Sequence, residues 1–582
     1  MKNKTLKRFK KMVAPYWKTI ILITVLSIII DCAELIKPFI IQQVLDNYLK
    51  EKTYLYANIS ITIIAVIYLL IVVVGNTIDY INRCISFNLG EKVLYDLRSK
   101  LFNFIEKTNL SFHDKTPAGN LYVRITADTE DVYSLFTEVI TTLPKDILII
   151  VGLIGTMAYI SIKLSIINIF MVFLLIAVSV IITNAMNKIF DKTKIERTKL
   201  NTFLAESIYG IKLIKIFNRQ KIKQKECENR TKEFNRTCKN LGYLFGILPG
   251  TIDFIENLGI SAVVVFCTYH IYGIYLEVGI IYLFISYLRK IINPIDRIIE
   301  NMEIVTDALS SINKIYEILE KTEYIEDYDS GIKLNKIKGK IEFKNVWFAY
   351  DEKNWILKDV SFVINPGESA ALVDKTGSGK TTITSLISRF YEIQKGEILI
   401  DGINIKDINL KSLRSNIGVI LQDPFIFARS IKENIKLYSD IDEKNIEKVI
   451  KLASAKDFIN SMPNGLEEIA KERGNSYSEG QKQLIAFARI FAKNPSIFIL
   501  DEATANIDTI TEKLIQKSVD KLLENRTSLF IAHRLATIVN VDKIIVLDKG
   551  HIIEQGNHRE LLKKEGYYAK LYNSYYDSLN SY

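Results

Sequence analysis

Six apolar stretches limit what the first half of this chain can become. They lie near Trp17–Leu45, Ala57–Ile81, Val139–Ile162, Leu164–Met186, Leu244–Ile271 and Val278–Ile299. Each can supply the roughly 20 apolar residues that one bilayer crossing takes. Buried helices of a soluble core are a poor alternative for Ile59–Val74 or Ile147–Ile162, which carry no charge. After about Lys333 the composition turns into that of a soluble α/β domain, so the 582 residues make more than one body. The expected division is a membrane domain over 1–320 with six spans and two long inner loops, a linker over 321–340, and a soluble domain over 341–582.

Charge placement orients the spans. Lys2, Lys4, Lys7, Arg8, Lys10 and Lys11 crowd the start of the chain, which argues for a cytoplasmic N-terminus. An even number of spans then returns the soluble domain to the same side. The expected outer loops hold only Lys50 and Lys52, then Lys163, whereas the inner loops around Lys92–Lys115 and Lys188–Lys239 are rich in cations. The first apolar stretch is too long for a cleavable signal. The net charge of +10 is explained by inner loops facing an anionic leaflet, so nucleic acid is not an expected partner. Cys32, Cys84, Cys227, Cys238 and Cys267 are scattered without metal-type spacing and read as ordinary thiols.

The soluble half carries the chemistry. Ala370–Val373 reads as a short buried strand and Ile383–Phe390 as a helix start. Between them Thr376, Gly377, Ser378, Gly379, Lys380, Thr381 and Thr382 form a small-residue loop whose N–H groups can converge on phosphate oxygens at a helix N-terminus. Lys380 is placed to reach the β- and γ-phosphates, and the Thr381 hydroxyl to bind Mg²⁺. The full pattern has glycine where this chain has Asp374. Either its carboxylate repels an anionic ligand and weakens the site, or it turns to solvent or to Lys375 and does little; the sequence leaves both open.

Two strand tips add carboxylates and an imidazole. Ile497–Leu500 ends in Asp501 and Glu502, placing Asp501 for the Mg²⁺ shell and Glu502 to polarise an attacking water. Ser528–Ala532 ends in His533, which can contact a γ-phosphate. Ile341–Tyr350 alternates as a strand and ends in Tyr350, whose ring can stack on adenine.

Together these residues resemble an ATP-binding cassette (ABC) domain. Tyr477-Ser478-Glu479-Gly480-Gln481 is similar to the family's signature sequence, with Tyr477 where leucine is usual. Gln422 matches the glutamine that joins the metal site to the membrane domain. Ala505–Asp508, Glu472–Gly474 and Gly556–Leu561 match further family elements, the last also readable as a plain helix start. The resemblance implies ATP and Mg²⁺ as cofactors and head-to-tail pairing of two cassettes. Ser478, Gly480 and Gln481 would then serve the ATP held by a partner's phosphate loop.

Six spans followed by one cassette resemble a half-transporter of the multidrug-resistance-like, type IV exporter branch. Ser111–Leu121 and Glu206–Phe217 resemble its two coupling segments. The expected fold is therefore an α-helical membrane domain of six transmembrane helices plus an α/β P-loop NTPase cassette. The expected activity is ATP-driven export of a drug-like, lipid or peptide amphiphile across the plasma membrane, by a homodimer or heterodimer. A weakly active or regulatory subunit, marked by Asp374, is the alternative. Within the first span, Asp31, Glu34 and Lys37 lie at helical spacing. Asp31 and Glu34 read either as attractants for a cationic amphiphile or, preferred here, through an internal Glu34–Lys37 ion pair or a position near the outer interface.

Overall fold

The computed structural model describes residues 2–51, 61–268, 278–324, 326–351, 354–373, 379–437, 442–501, 508–524, 526–531 and 539–580. These part into two compact units, Met1–Glu106 with Pro117–Thr322, and Lys107–Thr116 with Glu323–Tyr582.

The first unit is all helix: α1 (Lys2–Val13), α2 (Trp17–Glu51), α3 (Ile61–Glu106), then, beyond the short α4 (Leu110–Lys115) of the second unit, α5 (Ala118–Ile125), α6 (Ala127–Ser134), α7 (Ile140–Ile160), α8 (Ile162–Tyr209), α9 (Ile211–Ile216), α10 (Gln220–Thr268) and α11 (Val278–Leu319). Among the described residues, six helices are long and apolar enough to cross a membrane. Their outer surfaces identify the solvent they need. On α3, Val66, Leu69, Leu70 and Val73 form one helical stripe and all are exposed, an arrangement that suits lipid and not water. The inner faces pack Leu153 and Met157 of α7 against Leu175 of α8, Val263 of α10 and Phe284, Tyr287 and Ile291 of α11.

The helices outrun the apolar stretches. α8 has 48 residues, about 72 Å at 1.5 Å per residue, far more than a hydrocarbon core of about 30 Å. Hydropathy marks where a helix meets lipid, not where its hydrogen-bond ladder ends. Pro38, Pro144, Pro249 and Pro294 all lie inside helices, as membrane spans tolerate. The third span closes at Ile160, where Ser161 is extended (φ −156°) and turns the chain into α8. The outer ends of the expected second and fifth spans, 57–60 and 269–271, lie outside the described residues.

Polar groups inside this unit are mostly matched. Glu34 is bonded to Lys37 and to Lys290, the latter at 2.6 Å, so the ion-pair reading of Glu34 holds. Asp31 takes no part in it.

The second unit is an α/β body with two sheets. The strands are β1 (Ile341–Phe348), β2 (Leu357–Ile364), β3 (Ser369–Val373), β4 (Lys395–Ile400), β5 (Ile403–Asn404), β6 (Ile417–Ile420), β7 (Ile497–Asp501), β8 (Thr527–Ile531), β9 (Lys543–Asp548) and β10 (His551–Gly556). A four-stranded antiparallel sheet runs β2-β1-β4-β5, and a six-stranded sheet runs β10-β9-β3-β8-β7-β6. In the larger sheet β9, β3, β8, β7 and β6 are parallel and β10 closes one edge antiparallel. Parallel strands need both faces covered: Leu372, Ile499 and Leu529 face one core, Phe498, Leu500 and Phe530 the other. The covering helices are α12 (Lys380–Ile387), α13 (Leu410–Ser415), α14 (Ile431–Lys436), α15 (Glu443–Leu452), α16 (Lys456–Asn460), α17 (Glu479–Lys493) and α18 (Thr509–Leu523).

Residues before β1 are pinned to this body. Glu326 accepts both guanidinium nitrogens of Arg414 at 2.7 Å. The Asp401 carboxylate accepts the N–H groups of Lys338, Gly339 and Lys340.

Candidate nucleotide-binding site

In open parallel sheets, ligands settle beyond the carboxyl ends of the strands, and among the described residues Tyr350, Gly379, Lys380, Thr381, Thr382, Gln422 and Asp501 lie at or next to those ends. β3 ends at Val373, and Asp374, Lys375, Thr376, Gly377 and Ser378 lie outside the described residues. The chain resumes at Gly379 with φ +104° as the N-cap of α12. The left-handed turn at Gly379 favours glycine, and an added Cβ, 2.7 Å from Leu357 Cδ2, would also displace that side chain. Lys380 and Thr382 follow on the buried side of α12, and Thr381 is exposed at its first turn. The Thr381 carbonyl accepts the hydroxyls of Thr384 (2.8 Å) and Ser385 (3.0 Å).

Tyr350, two residues past β1, shares a hydrogen bond with Thr382 Oγ1 at 3.1 Å. Its ring stands edge-on to Phe348 and to Tyr391, with centroids 4.9 and 5.0 Å apart. The aromatic residue expected to meet a base is thus fixed beside the phosphate-loop helix, half-exposed. Asp501 is the last residue of β7 and Gln422 follows the end of neighbouring β6 by two residues, so both stand on the same sheet edge as α12. Glu502 and His533 lie outside the described residues.

The signature residues are held elsewhere. Ser478 is the N-cap of α17: its Oγ accepts the Gln481 N–H at 3.3 Å, and Gln481 Oε1 accepts the Ser478 N–H at 2.9 Å. Gly480 is buried in the first turn. Tyr477 packs edge-on to Phe458 of α16 with centroids 5.8 Å apart, so this end of α17 belongs to a helical lobe. Farther down α17, Arg489 donates to the carbonyls of Asn434 (2.7 Å) and Phe425 (2.6 Å) and to Asn434 Oδ1 (2.8 Å). Burial lowers the Arg489 pKa to about 10, which leaves it charged at neutral pH. Eleven residues of helix, about 16 Å of rise, separate Ser478 from this anchor. Asp508 caps α18 by accepting the Thr511 N–H at 2.9 Å, the bond that holds its carboxyl below the ordinary range.

Part of the first expected coupling segment, α4, packs within the cassette unit. α4 seats its buried Phe112 against Tyr324, with centroids 5.7 Å apart, and the Tyr391 hydroxyl donates to Asp114. Burial and this bond push the Tyr391 hydroxyl's pKa upward. Gly556–Leu561 resolves into a helix start: Asn557 and Glu560 form a reciprocal capping pair.

Six membrane-spanning helices and an α/β cassette with a phosphate-loop helix at its sheet edge define the class of ATP-driven membrane transporters. The comparisons make the family specific. Residues 20–295 match the ABC transporter transmembrane region and residues 357–505 the ABC transporter domain. The Streptococcus pneumoniae protein exp8, named for an ABC transporter's ATP-binding protein, is 34% identical over 97% of this chain and 96% of its own. YgaD of Bacillus subtilis, whose name assigns it multidrug export by inference, is 33% identical over 97% and 98%. The ATP-dependent lipid A-core flippase of Syntrophus aciditrophicus is 30% identical over 97% and 94%. A bacterial Atm1-family ABC exporter solved with ATP bound shares the fold, with a TM-score of 0.76 at 24% identity over 97% of this chain and 98% of that one. The chain belongs to the ABC transporter family: it is a type IV exporter half-transporter, a multi-pass membrane protein that hydrolyses ATP.

Proposed function

We propose that this chain exports an amphiphilic substrate (drug-like, lipid or peptide) across the plasma membrane as one half of a dimer, with its N-terminus and cassette in the cytoplasm. The working division is a membrane half to residue 320, a linker over 321–340 and a cassette from 341. The observation that carries the reading is the sheet edge where Lys380, Thr382 with Tyr350, Gln422 and Asp501 converge, in a chain whose other half presents apolar stripes outward. The relative named for multidrug export and the one named for lipid A-core flipping support an amphiphilic cargo.

In this reading Tyr350 stacks on the adenine, and the N–H groups of Lys375–Thr382 with the Lys380 ammonium hold the phosphates. Thr381, Gln422 and Asp501 offer the hard oxygen donors that suit Mg²⁺, which supplies charge neutralisation at the phosphates when bound. Glu502 orients and polarises the attacking water, and His533 contacts the γ-phosphate. Ser478, Gly480 and Gln481, at the far end of α17, act on the nucleotide of the partner subunit. α4 is one coupling element, docked through Phe112 and Asp114. α9 is the other, exposing Ile211, Leu213, Ile216 and Phe217. These fit a groove of about 860 Å³ lined by Leu421, Phe425, Phe427, Ile435 and Leu437 on the partner's cassette.

The test is Mg²⁺-dependent ATPase activity of the purified chain in lipid, beside Glu502→Gln and Asp374→Gly. The native chain should turn over, and Glu502→Gln should keep nucleotide binding while losing about 10²–10⁴-fold in rate. Equal rates in Glu502→Gln would remove Glu502 from its role. Activity confined to Asp374→Gly would mark this chain as the weak subunit of a heterodimer.

A further inference from the structure

Tyr350 rides on the loop 349–356 that joins β1 to β2, of which Glu352 and Lys353 lie outside the described residues. Its ring is held by Thr382, Phe348 and Tyr391. Where the backbone delivers that ring depends on the residue before it. Ala349 is 4% exposed and lies past the end of β1, where strand pairing has stopped. The last pair of β1 with β4 is Trp347 with Lys395, after a slip of register between Lys344 and Trp347. Gly396, at φ +86°, lets β4 close on that slip, since a Cβ there would stand 2.3 Å from the Asn345 carbonyl oxygen. The buried N–H and C=O of Ala349, one step beyond the last rung, need partners.

Gln394 supplies both. Its Oε1 accepts the Ala349 N–H at 3.1 Å, and its Nε2 donates to the Ala349 carbonyl at 2.9 Å. Its own backbone N–H donates to the Trp347 carbonyl at 3.3 Å. The side chain thereby takes the place of one more ladder rung. At neutral pH a carboxamide alone sets a donor and an acceptor side by side on one planar group.

The next residue holds the return side of the loop. Lys395 Nζ lies over the rings of Trp347 and Trp355, 5.7 and 5.6 Å from their centroids, in the geometry of a cation on aromatic faces. The two indoles meet edge-on with centroids 5.5 Å apart. Gln394 and Lys395, at the start of β4, therefore grip the Tyr350 loop at both ends. The phosphate-loop residues hang on a different connection, from β3 to α12, so a displaced Ala349 leaves them in place.

We propose that Gln394 is a positioning residue for nucleotide binding: its carboxamide fixes Ala349 and so aims the Tyr350 ring at the adenine, acting through Tyr350 and not on the phosphates. The proposal rests on the reading of Tyr350 as the base platform and adds to it the group that sets its aim. A binding group works only when its supporting residues hold it to within about 0.5 Å.

The test is equilibrium binding to the full chain in lipid nanodiscs with Mg²⁺, comparing the slowly hydrolysed ATP analogue AMP-PNP with inorganic tripolyphosphate, which has the phosphates and no base. Gln394→Met keeps the length and loses both bonds; Gln394→Glu keeps the acceptor and loses the donor. Both should raise the Kd for AMP-PNP about fivefold and leave that for tripolyphosphate unchanged. Tyr350→Ala should raise the AMP-PNP Kd about tenfold. Adding Gln394→Met to it should change nothing further, because a residue acting through Tyr350 then has nothing to act on. Native AMP-PNP affinity in both Gln394 variants, equal loss of both ligands, or a Gln394→Met loss that persists beside Tyr350→Ala would each overturn the proposal. Unaltered AMP-PNP binding in Tyr350→Ala would remove the base-stacking reading and this inference with it. A loss there with native binding in the Gln394 variants removes this inference alone.

Discussion

Gly379 shows how one residue can be both legible and decisive. Its left-handed φ of +104°, and the 2.7 Å that would separate an added Cβ from Leu357 Cδ2, are two separate reasons against any side chain there. Gly379→Ala should cost about 1–2 kcal/mol from backbone strain alone and weaken ATP binding at least tenfold in nucleotide titrations of the full chain; unchanged affinity would detach this turn from the phosphates. Arg489 is the opposite case. The motif places a helix through it, but its partners Asn434 and Phe425 lie 55 and 64 residues earlier, and no local spacing encodes such a pairing. Arg489→Lys keeps a charge but loses the planar fork, leaving buried acceptors unmet. It should lower stability by about 1–3 kcal/mol, read as a fall in the thermal midpoint. Glu34 and Asp31 divide in the same way. The Glu34–Lys37 pair follows from helical spacing, whereas no local spacing encodes that the Asp31 oxygens find no hydrogen-bond partner among the described residues.

At the scale of elements, signals set by local chemistry were readable in the chain and those set by assembly were not. The helix starts at Ser478 and Asn557 follow from S-x-x-Q and N-x-x-E patterns whose side chains and N–H groups cap each other. The lengths of the membrane helices did not follow from hydropathy, because their polar extensions carry no apolar run. The seating of α4 is an assembly effect too: the Tyr391–Asp114 bond spans 277 residues. Tyr391→Phe keeps the ring beside Tyr350 and removes the hydroxyl. It should leave ATP affinity unchanged while making α4 amides exchange faster, about 1 kcal/mol less protected; unchanged protection would show that Phe112 alone seats the helix. The C-terminal helix Tyr567–Asn580 carries a pH dependence. His558 Nδ1 and the Tyr568 hydroxyl are 2.8 Å apart, and burial, then Arg559, lowers the His558 pKa below its ordinary 6.5. A depressed value means that the unfolded segment binds the proton more readily, so the contribution is present above pH 6.5 and is lost as pH falls through the folded value. Exchange of the Tyr567–Leu571 amides, corrected for intrinsic rates, should accelerate on acidification, and His558→Gln should abolish that pH dependence.

The whole molecule raises the question of how many chains make one site. Phosphate-loop helix α12 and Gln422 and Asp501 stand at the sheet edge, whereas Ser478 caps a helix end in a separate lobe, packed through Tyr477 on Phe458. A chain with one copy of each part can pair with itself only about a two-fold axis, which makes two equivalent composite sites. Each site then draws its phosphate loop from one subunit and its Ser478 from the other. Lys380→Ala and Ser478→Ala homodimers should both be impaired, the second partly through a lost cap worth about 1 kcal/mol. Mixing them differs in kind. In a dimer of one Lys380→Ala chain and one Ser478→Ala chain, both lesions fall on the same site, and the other site is wholly native. Random pairing of equal amounts makes half of the dimers mixed, so co-reconstitution should restore about a quarter of native ATPase activity if the two sites turn over independently. Activity above the average of the two homodimers supports composite sites shared across the dimer. Activity that merely equals that average would mean that each chain completes its own site, and the signature residues would have to reach their own phosphate loop. If the native chain is silent until a different half-transporter is added, the same pair of substitutions, placed one on each subunit, identifies which composite site turns over.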